Sequence, residues 1–124
     1  MEMSVNASGG HPVSMANLKS VYKIAQDNGI LVFLDTCRIL ENAYFIRERE
    51  KGYENQTLRS IVKEICSFSD GCTMSATKDF FVDSGAFIAT HKKEIYDLTN
   101  LCIMERIEML KVLFLSFYPW DVHF

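Results

Sequence analysis

The sequence contains no Cys-x-x-Cys pair and no His/Cys cluster at zinc-ligand spacing. A structural zinc site and a redox-active cysteine pair therefore lack their residues. The four cysteines, Cys37, Cys66, Cys72 and Cys102, lie far apart and read as reduced, buried thiols of a cytosolic protein. His11, His91 and His123 are equally scattered and read as surface or loop residues rather than ligands. No basic block is present, and the net charge is −3. Nucleic-acid binding has no electrostatic support from such a chain. No apolar run reaches the length of a bilayer span. The most apolar stretch, 103–118, is interrupted by Glu105, Arg106, Glu108 and Lys111, and reads as a core or interface helix. The first ten residues are polar and small rather than basic and then apolar, unlike a secretory leader. The expectation is a cytoplasmic protein with no membrane partner. Neither an internal repeat nor a low-complexity linker divides the chain.

What is present is an ordinary globular balance: 124 residues, 48% hydrophobic and 23% charged, enough for one domain with a core. Ser4-Val5-Asn6-Ala7 reads as a first strand. The loop Ser8-Gly9-Gly10-His11-Pro12 follows, with two glycines and a proline marking unusual backbone angles. Ser14 is placed to cap a helix whose apolar face is Leu18, Val21, Tyr22 and Ala25, and Asn28-Gly29 stops it. Ile30 to Leu34 is five apolar residues in a row, the pattern of a strand covered on both faces. A helix is predicted from about Leu40 to Lys51, ended by Gly52. Another starts at Asn55-Gln56-Thr57, with Leu58, Ile61, Val62, Ile65 and Cys66 on one face. Asp70-Gly71 is a break. Cys72-Thr73-Met74 and Gly85 to Thr90 read as strands. Lys92 to about Met104 reads as a helix with Ile95, Leu98 and Cys102 inward.

This order of strands and helices predicts an α/β fold, a mostly parallel sheet flanked by helices. In such sheets ligands gather at the carboxyl ends of the strands. Asp35, Ser75 and Lys78 all fall at or just after such ends. Taken singly, each has an ordinary reading: Asp35 a turn or cap residue, Arg38 a solvated charge, Ser75 a turn residue, Lys78 a surface lysine. Taken together, an acid ending one buried strand and a lysine just past the next are the pair that pyridoxal phosphate (PLP) chemistry needs. The amine holds the cofactor aldehyde, and the carboxylate keeps the pyridine nitrogen protonated.

Three segments carry a resemblance. Asn6-Ala7-Ser8-Gly9-Gly10-His11-Pro12-Val13-Ser14-Met15-Ala16-Asn17 is similar to the tryptophanase and tyrosine phenol-lyase family. So is Asp35-Thr36-Cys37-Arg38 with Glu41-Asn42-Ala43-Tyr44-Phe45-Ile46, and so is Asp70-Gly71-Cys72-Thr73-Met74-Ser75 leading to Lys78-Asp79. The similarity runs over roughly residues 4–100, far beyond a short motif. It implies part of the large PLP-binding domain of the aspartate-aminotransferase-like fold over residues 1–102, with 103–124 as a divergent apolar tail. It implies Lys78 as the catalytic, cofactor-bearing lysine and Asp35 as the acid on the pyridine nitrogen. Arg38 and Asn6 would contact the ring's phenolic oxygen, and Ser75 the phosphate. It implies no metal ligand, although a monovalent cation accompanies the family. It further implies an aromatic amino acid substrate, tryptophan or tyrosine, cleaved to pyruvate, ammonia and indole or phenol, in a homo-oligomer. Threonine-aldolase-like chemistry is a weaker version of the same expectation.

The chain departs from that family at definite places. Thr77 stands where the family usually has a second lysine, and Asp83 where related enzymes often have asparagine near the cation site. Past about residue 100 a Gly-rich segment is expected, and Glu105-Arg106-Ile107-Glu108-Met109-Leu110 stands there instead. The phosphate loop, the stacking aromatic residue and the small domain with its substrate-binding arginine are not in these 124 residues. The alternative expectation is thus a truncated, catalytically inactive remnant that associates at most with a complete subunit.

Overall fold

A computed structural model describes residues 1–104 and 114–117. Among the described residues, four α-helices and four strands follow the sequence in the order α1 (Met15–Asp27), β1 (Phe33–Asp35), α2 (Ile39–Arg49), α3 (Leu58–Ser67), β2 (Gly71–Ser75), β3 (Ala86–Thr90), α4 (Lys93–Met104) and β4 (Phe114–Phe117). The strands form one sheet in the order β1-β2-β3-β4. β1 and β2 are parallel, as are β3 and β4, while β2 and β3 are antiparallel. The α/β architecture and the two parallel pairings match expectation. The antiparallel pairing has a simple cause. α2 and α3 lie between β1 and β2, and α4 lies between β3 and β4, so both pairs have the helical crossover a parallel connection needs. The stretch from Ala76 to Gly85 carries no helix, and the chain can only double back.

Local chemistry sets the helix ends where the sequence predicts them. Ser14 accepts a hydrogen bond from the Asn17 amide, and Thr57 accepts one from Ser60, each capping its helix. Gly52 follows α2 at φ 95°, a left-handed turn that glycine takes at little cost. The core joins Met15, Leu18 and Ala25 of α1 to Ile39, Ala43 and Ile46 of α2 and Ile61 and Ile65 of α3, closed by Val32, Leu34 and Cys72 from the sheet side.

Three expectations are corrected. Ser4 to Ala7 is not a strand. Residues 1–3 instead run parallel beside β1, with Met3 N–H donating to Asp35 at 3.0 Å and Asp35 N–H donating to Met1 at 2.7 Å; a 3-10 turn over Asn6–Ser8 follows. Strand β1 is shorter than the apolar run, and Ile30 and Leu31 are exposed before it. Leu98, 63% exposed, and Cys102 do not face inward; α4 shares only part of its surface with the sheet. Most of the apolar tail assigned to 103–124 lies outside the described residues, apart from the end of α4 and β4.

Asp70-Gly71 is less a break than a joint. The Asp70 side chain is buried, and its Oδ2 accepts from the Val32 amide at 2.8 Å. Lys92 Nζ lies 3.4 Å from Oδ1 and supplies the counter-charge. Thr90 Oγ1 donates to the Asp70 carbonyl at 2.7 Å. These contacts tie one end of β1, β2 and β3 together and leave the opposite, carboxyl edge of β1 and β2 for other work.

Candidate active site

The register pairs Asp35 with Thr73 in adjacent parallel strands, so Asp35 ends β1 and Ser75 ends β2 on the same edge of the sheet. Arg38 follows as the N-cap residue of α2, and Lys78 sits in the turn that leaves β2. Asn6 occupies the 3-10 turn that follows the segment lying parallel to β1. Parallel order thus delivers all five residues singled out in the sequence to one edge. Asn6 and Lys78 are exposed there, while Asp35, Arg38 and Ser75 are half-buried.

The β1–α2 turn is held by Cys37. Its amide donates to Asp35 Oδ1 at 3.0 Å, its sulfur accepts from the Ser75 amide at 3.1 Å, and its carbonyl accepts from the Asp79 amide at 3.3 Å. One residue therefore touches the acid, the serine and the lysine-bearing turn. Burial raises the Cys37 thiol above its ordinary value, and the hydrogen bond with Asp35 adds to this, while the Ser75 amide and the Lys78 charge pull the other way. Asp79, next to Lys78, accepts from the Leu40 amide at 2.6 Å and from the Glu41 amide at 3.4 Å. A carboxylate at the first turn of α2 offsets the unpaired amides there. It also pins the Lys78 turn to α2, the helix that Arg38 precedes as N-cap residue.

The glycine-rich loop is fixed from α2 as well. Asn42 is fully buried, accepts from the Val13 amide at 2.8 Å, donates to the Val13 carbonyl at 2.9 Å and accepts from Ser4 Oγ at 3.3 Å. Gly9 and Gly10 have φ 79° and 72°, which bring the Gly9 amide back to Asn6 and the Gly10 amide back to Val5. Neither Cys37 nor Asn42 stands out as a site residue in the sequence, because their roles depend on contacts with residues about 30 to 40 positions away. For Asn42, a polar residue at a core position of an apolar helix face is the one available signal.

Around Lys78 the polar contacts are local. Its Nζ donates to Thr77 Oγ1 at 3.2 Å, and Thr77 Oγ1 lies 2.9 Å from Ser75 Oγ. Arg38 Nη1 is 3.4 Å from Glu41 Oε2. No ion pair or hydrogen bond joins Lys78 to Asp35 or Arg38 among the described residues. Among the described residues, no group of three or more His, Cys, Asp or Glu side chains is placed to hold a metal ion, and no helix is long and apolar enough to cross a membrane.

Comparison with known proteins agrees with the segments that carry the resemblance. The family model described as Beta-eliminating lyase matches residues 1–114. A tyrosine phenol-lyase of Lacrimispora saccharolytica is 48% identical over 96 residues, covering 77% of this chain and 20% of that protein. A tyrosine phenol-lyase of Symbiobacterium sp. is 50% identical over 93 residues, covering 75% of this chain and 20% of that protein. A probable beta-eliminating lyase of Trichomonas vaginalis is 49% identical over 100 residues, covering 80% of this chain and 22% of its own length. The chain spans about a fifth of the length of the curated relatives it matches. With the family model covering nearly all of the chain and several relatives near half-identical over three quarters of it, the chain belongs to the beta-eliminating lyase family.

Proposed function

We propose that this chain carries the cofactor-holding edge of a PLP-dependent carbon–carbon lyase that cleaves an aromatic amino acid. Tyrosine or tryptophan and water would give pyruvate, ammonia and phenol or indole. The observation that carries the reading is the delivery of Asp35, Ser75 and Lys78 to the carboxyl edge of two adjacent parallel strands. The donor set fits the group. Lys78 offers an exposed primary amine restrained by one hydrogen bond, and Asp35 offers a half-buried carboxylate at the end of β1. Arg38 offers a planar cationic donor, and Ser75 a hydroxyl suited to a phosphate oxygen.

When bound, PLP supplies an electron sink for the charge left at the substrate Cα. The rest falls to the chain. Lys78 Nζ would hold the cofactor, and its amine would serve as the base for the substrate Cα proton. Asp35 holds a proton on the pyridine nitrogen, its carboxylate fixed by the Cys37 amide. Arg38 and Asn6 stabilise negative charge on the ring oxygen, and Ser75 donates to the phosphate. A monovalent cation belongs to the same proposal, with Asp83 a departure from the asparagine that related enzymes often have near that site.

Titration of purified protein with PLP tests this. A visible absorption band of lysine-bound cofactor is expected, and Lys78→Ala should abolish it. No band in the parent chain, or an unchanged band in the variant, sinks the assignment. A second reading is that the chain alone does not turn over and acts by associating with a complete lyase subunit. It is favoured by the exposed Phe80, Phe81 and Val82 immediately after Lys78-Asp79. Robust pyruvate release from tyrosine or tryptophan by the chain alone would overturn it.

A further inference from the structure

We propose that Thr77 is a positioning residue that couples the protonation state of Lys78 to the grip of Ser75 on a phosphate group, through a chain of two hydroxyls. The inference rests on the reading above, in which Lys78 and Ser75 serve one ligand. The geometry is the run Lys78 Nζ to Thr77 Oγ1 at 3.2 Å and Thr77 Oγ1 to Ser75 Oγ at 2.9 Å, the second contact open to a proton from either side.

Donor counting gives the chain a direction. A charged lysine amine has three donors and no acceptor, whereas each hydroxyl has one donor and can accept. While Lys78 is charged, Thr77 accepts from it and turns its own O–H to Ser75. The Ser75 O–H is then free to donate outward to an anion. A neutral Lys78 has a lone pair and can accept from Thr77. Thr77 then accepts from Ser75, whose donor is drawn inward. An anion on Ser75 therefore favours the charged lysine, and a neutral lysine relaxes the hold on the anion, as linkage requires. The neutral form is the one that can take a proton from substrate. A lysine at position 77, as the resemblance leads one to expect, would bring a fixed charge with donors only and could not reverse in this way.

The neighbouring titratable groups do not replace the relay. Asp79 is committed to the Leu40 and Glu41 amides, Asp35 accepts from the Cys37 amide, and Cys37 accepts from the Ser75 amide through its sulfur. Thr77 and Lys78 are both exposed, so a reagent reaches the amine.

The test uses the PLP-free chain and inorganic phosphate. Acylation of Lys78 by an amine reagent at one fixed pH is followed by peptide mass mapping, in phosphate and in chloride at equal ionic strength. Phosphate should slow labelling of Lys78 by about three- to tenfold, the scale of one hydrogen bond. Thr77→Val should keep less than half of that effect, the remainder being direct charge attraction, and Thr77→Ser should restore it. Ser75→Ala should behave like Thr77→Val. An equal effect of phosphate in parent and Thr77→Val, or no effect in the parent, overturns the proposal. The cofactor band is scored separately. Its absence with the relay intact defeats the PLP reading alone, and its presence with an unresponsive Thr77→Val chain defeats the relay alone.

Discussion

The four thiols are chemically distinct although the sequence presents them alike. Cys66 is largely enclosed, and burial pushes its thiol up to about 12, with neighbouring Cys72 adding to the shift. Burial also raises Cys72, against hydrogen bonds from Thr36 and the Ala89 backbone. Cys37 is raised in the same direction for the reasons given by its place at the site. Cys102 alone is exposed. Since the thiolate is the reactive form, a disulfide reagent near neutral pH should modify Cys102 well before the other three. Cys102→Ser should remove the fast phase of a thiol titration, and a fast phase that persists would contradict the placement of α4. Sequence reasoning took all four as buried. It was right for Cys72 because its side chain lies on the sheet face that packs into the core with α1, α2 and α3. It failed for Cys102 because helical periodicity finds an apolar face without saying whether another element covers it. The candidate site shows the same division. Asp35, Arg38, Ser75, Lys78 and Asn6 are nominated by spacing shared with a family, and the structure sets them along one edge of the sheet. Cys37 and Asn42 act through partners distant in sequence, and no local pattern announces them.

Between elements, α1 and α3 are joined by an ion pair whose pH behaviour is fixed in sign. Lys19 Nζ lies 2.8 Å from Glu64 Oε1, and Tyr53 donates to the same oxygen at 2.9 Å. Burial pushes the Glu64 carboxyl up, but the hydrogen bonds from Lys19 and Tyr53 outweigh it and leave it below the ordinary range. Its contribution is therefore present above the unfolded carboxylate value and lost as pH falls through the folded one. Lys19 is held above its ordinary value, chiefly by the Glu64 hydrogen bond, so the pair is lost again only on the alkaline side as Lys19 deprotonates. The Lys19 side chain is 46% exposed, which screens the pair. Glu64→Gln should then cost about 0.5–1 kcal/mol near pH 7 by urea unfolding. The gap to the parent should narrow as pH falls through the lowered folded-state value of Glu64 and close below it, where Glu64 is protonated in both states. A gap that stays constant across this range would show that packing, not charge, sets the effect. Helix boundaries at this scale were legible from Ser14, Thr57, Gly29 and Gly52, since caps and left-handed turns are local. The antiparallel turn of β3 was less so, because strand direction follows from what lies between strands rather than from the strands themselves.

For the molecule as a whole, the balance of covered and uncovered apolar surface decides its behaviour in solution. Among the described residues, the core is continuous across α1, α2, α3 and the sheet, yet Ile24, Ile30, Leu31, Leu98 and Leu101 are exposed, as are Phe80, Phe81 and Val82. Phe81 is the extreme case, 91% exposed at φ 53°. A left-handed phenylalanine carries roughly 1–2 kcal/mol of steric cost, and an exposed ring recovers none of it by burial within this chain. Apolar groups left in water at several places favour contact between copies. The chain on its own should therefore associate as its concentration rises. Phe81→Gly removes both the ring and the steric cost, offset in part by about 0.5–1 kcal/mol of added backbone freedom in the unfolded state. The variant should shift the association to higher concentration by size-exclusion chromatography with light scattering, while its urea midpoint stays level or rises. A parent chain that remains monomeric throughout would refute the association, whereas a Phe81→Gly chain that associates at the same concentration would place the driving surface elsewhere, with Leu98→Ser and Leu101→Ser on α4 as the next variants to separate the two faces.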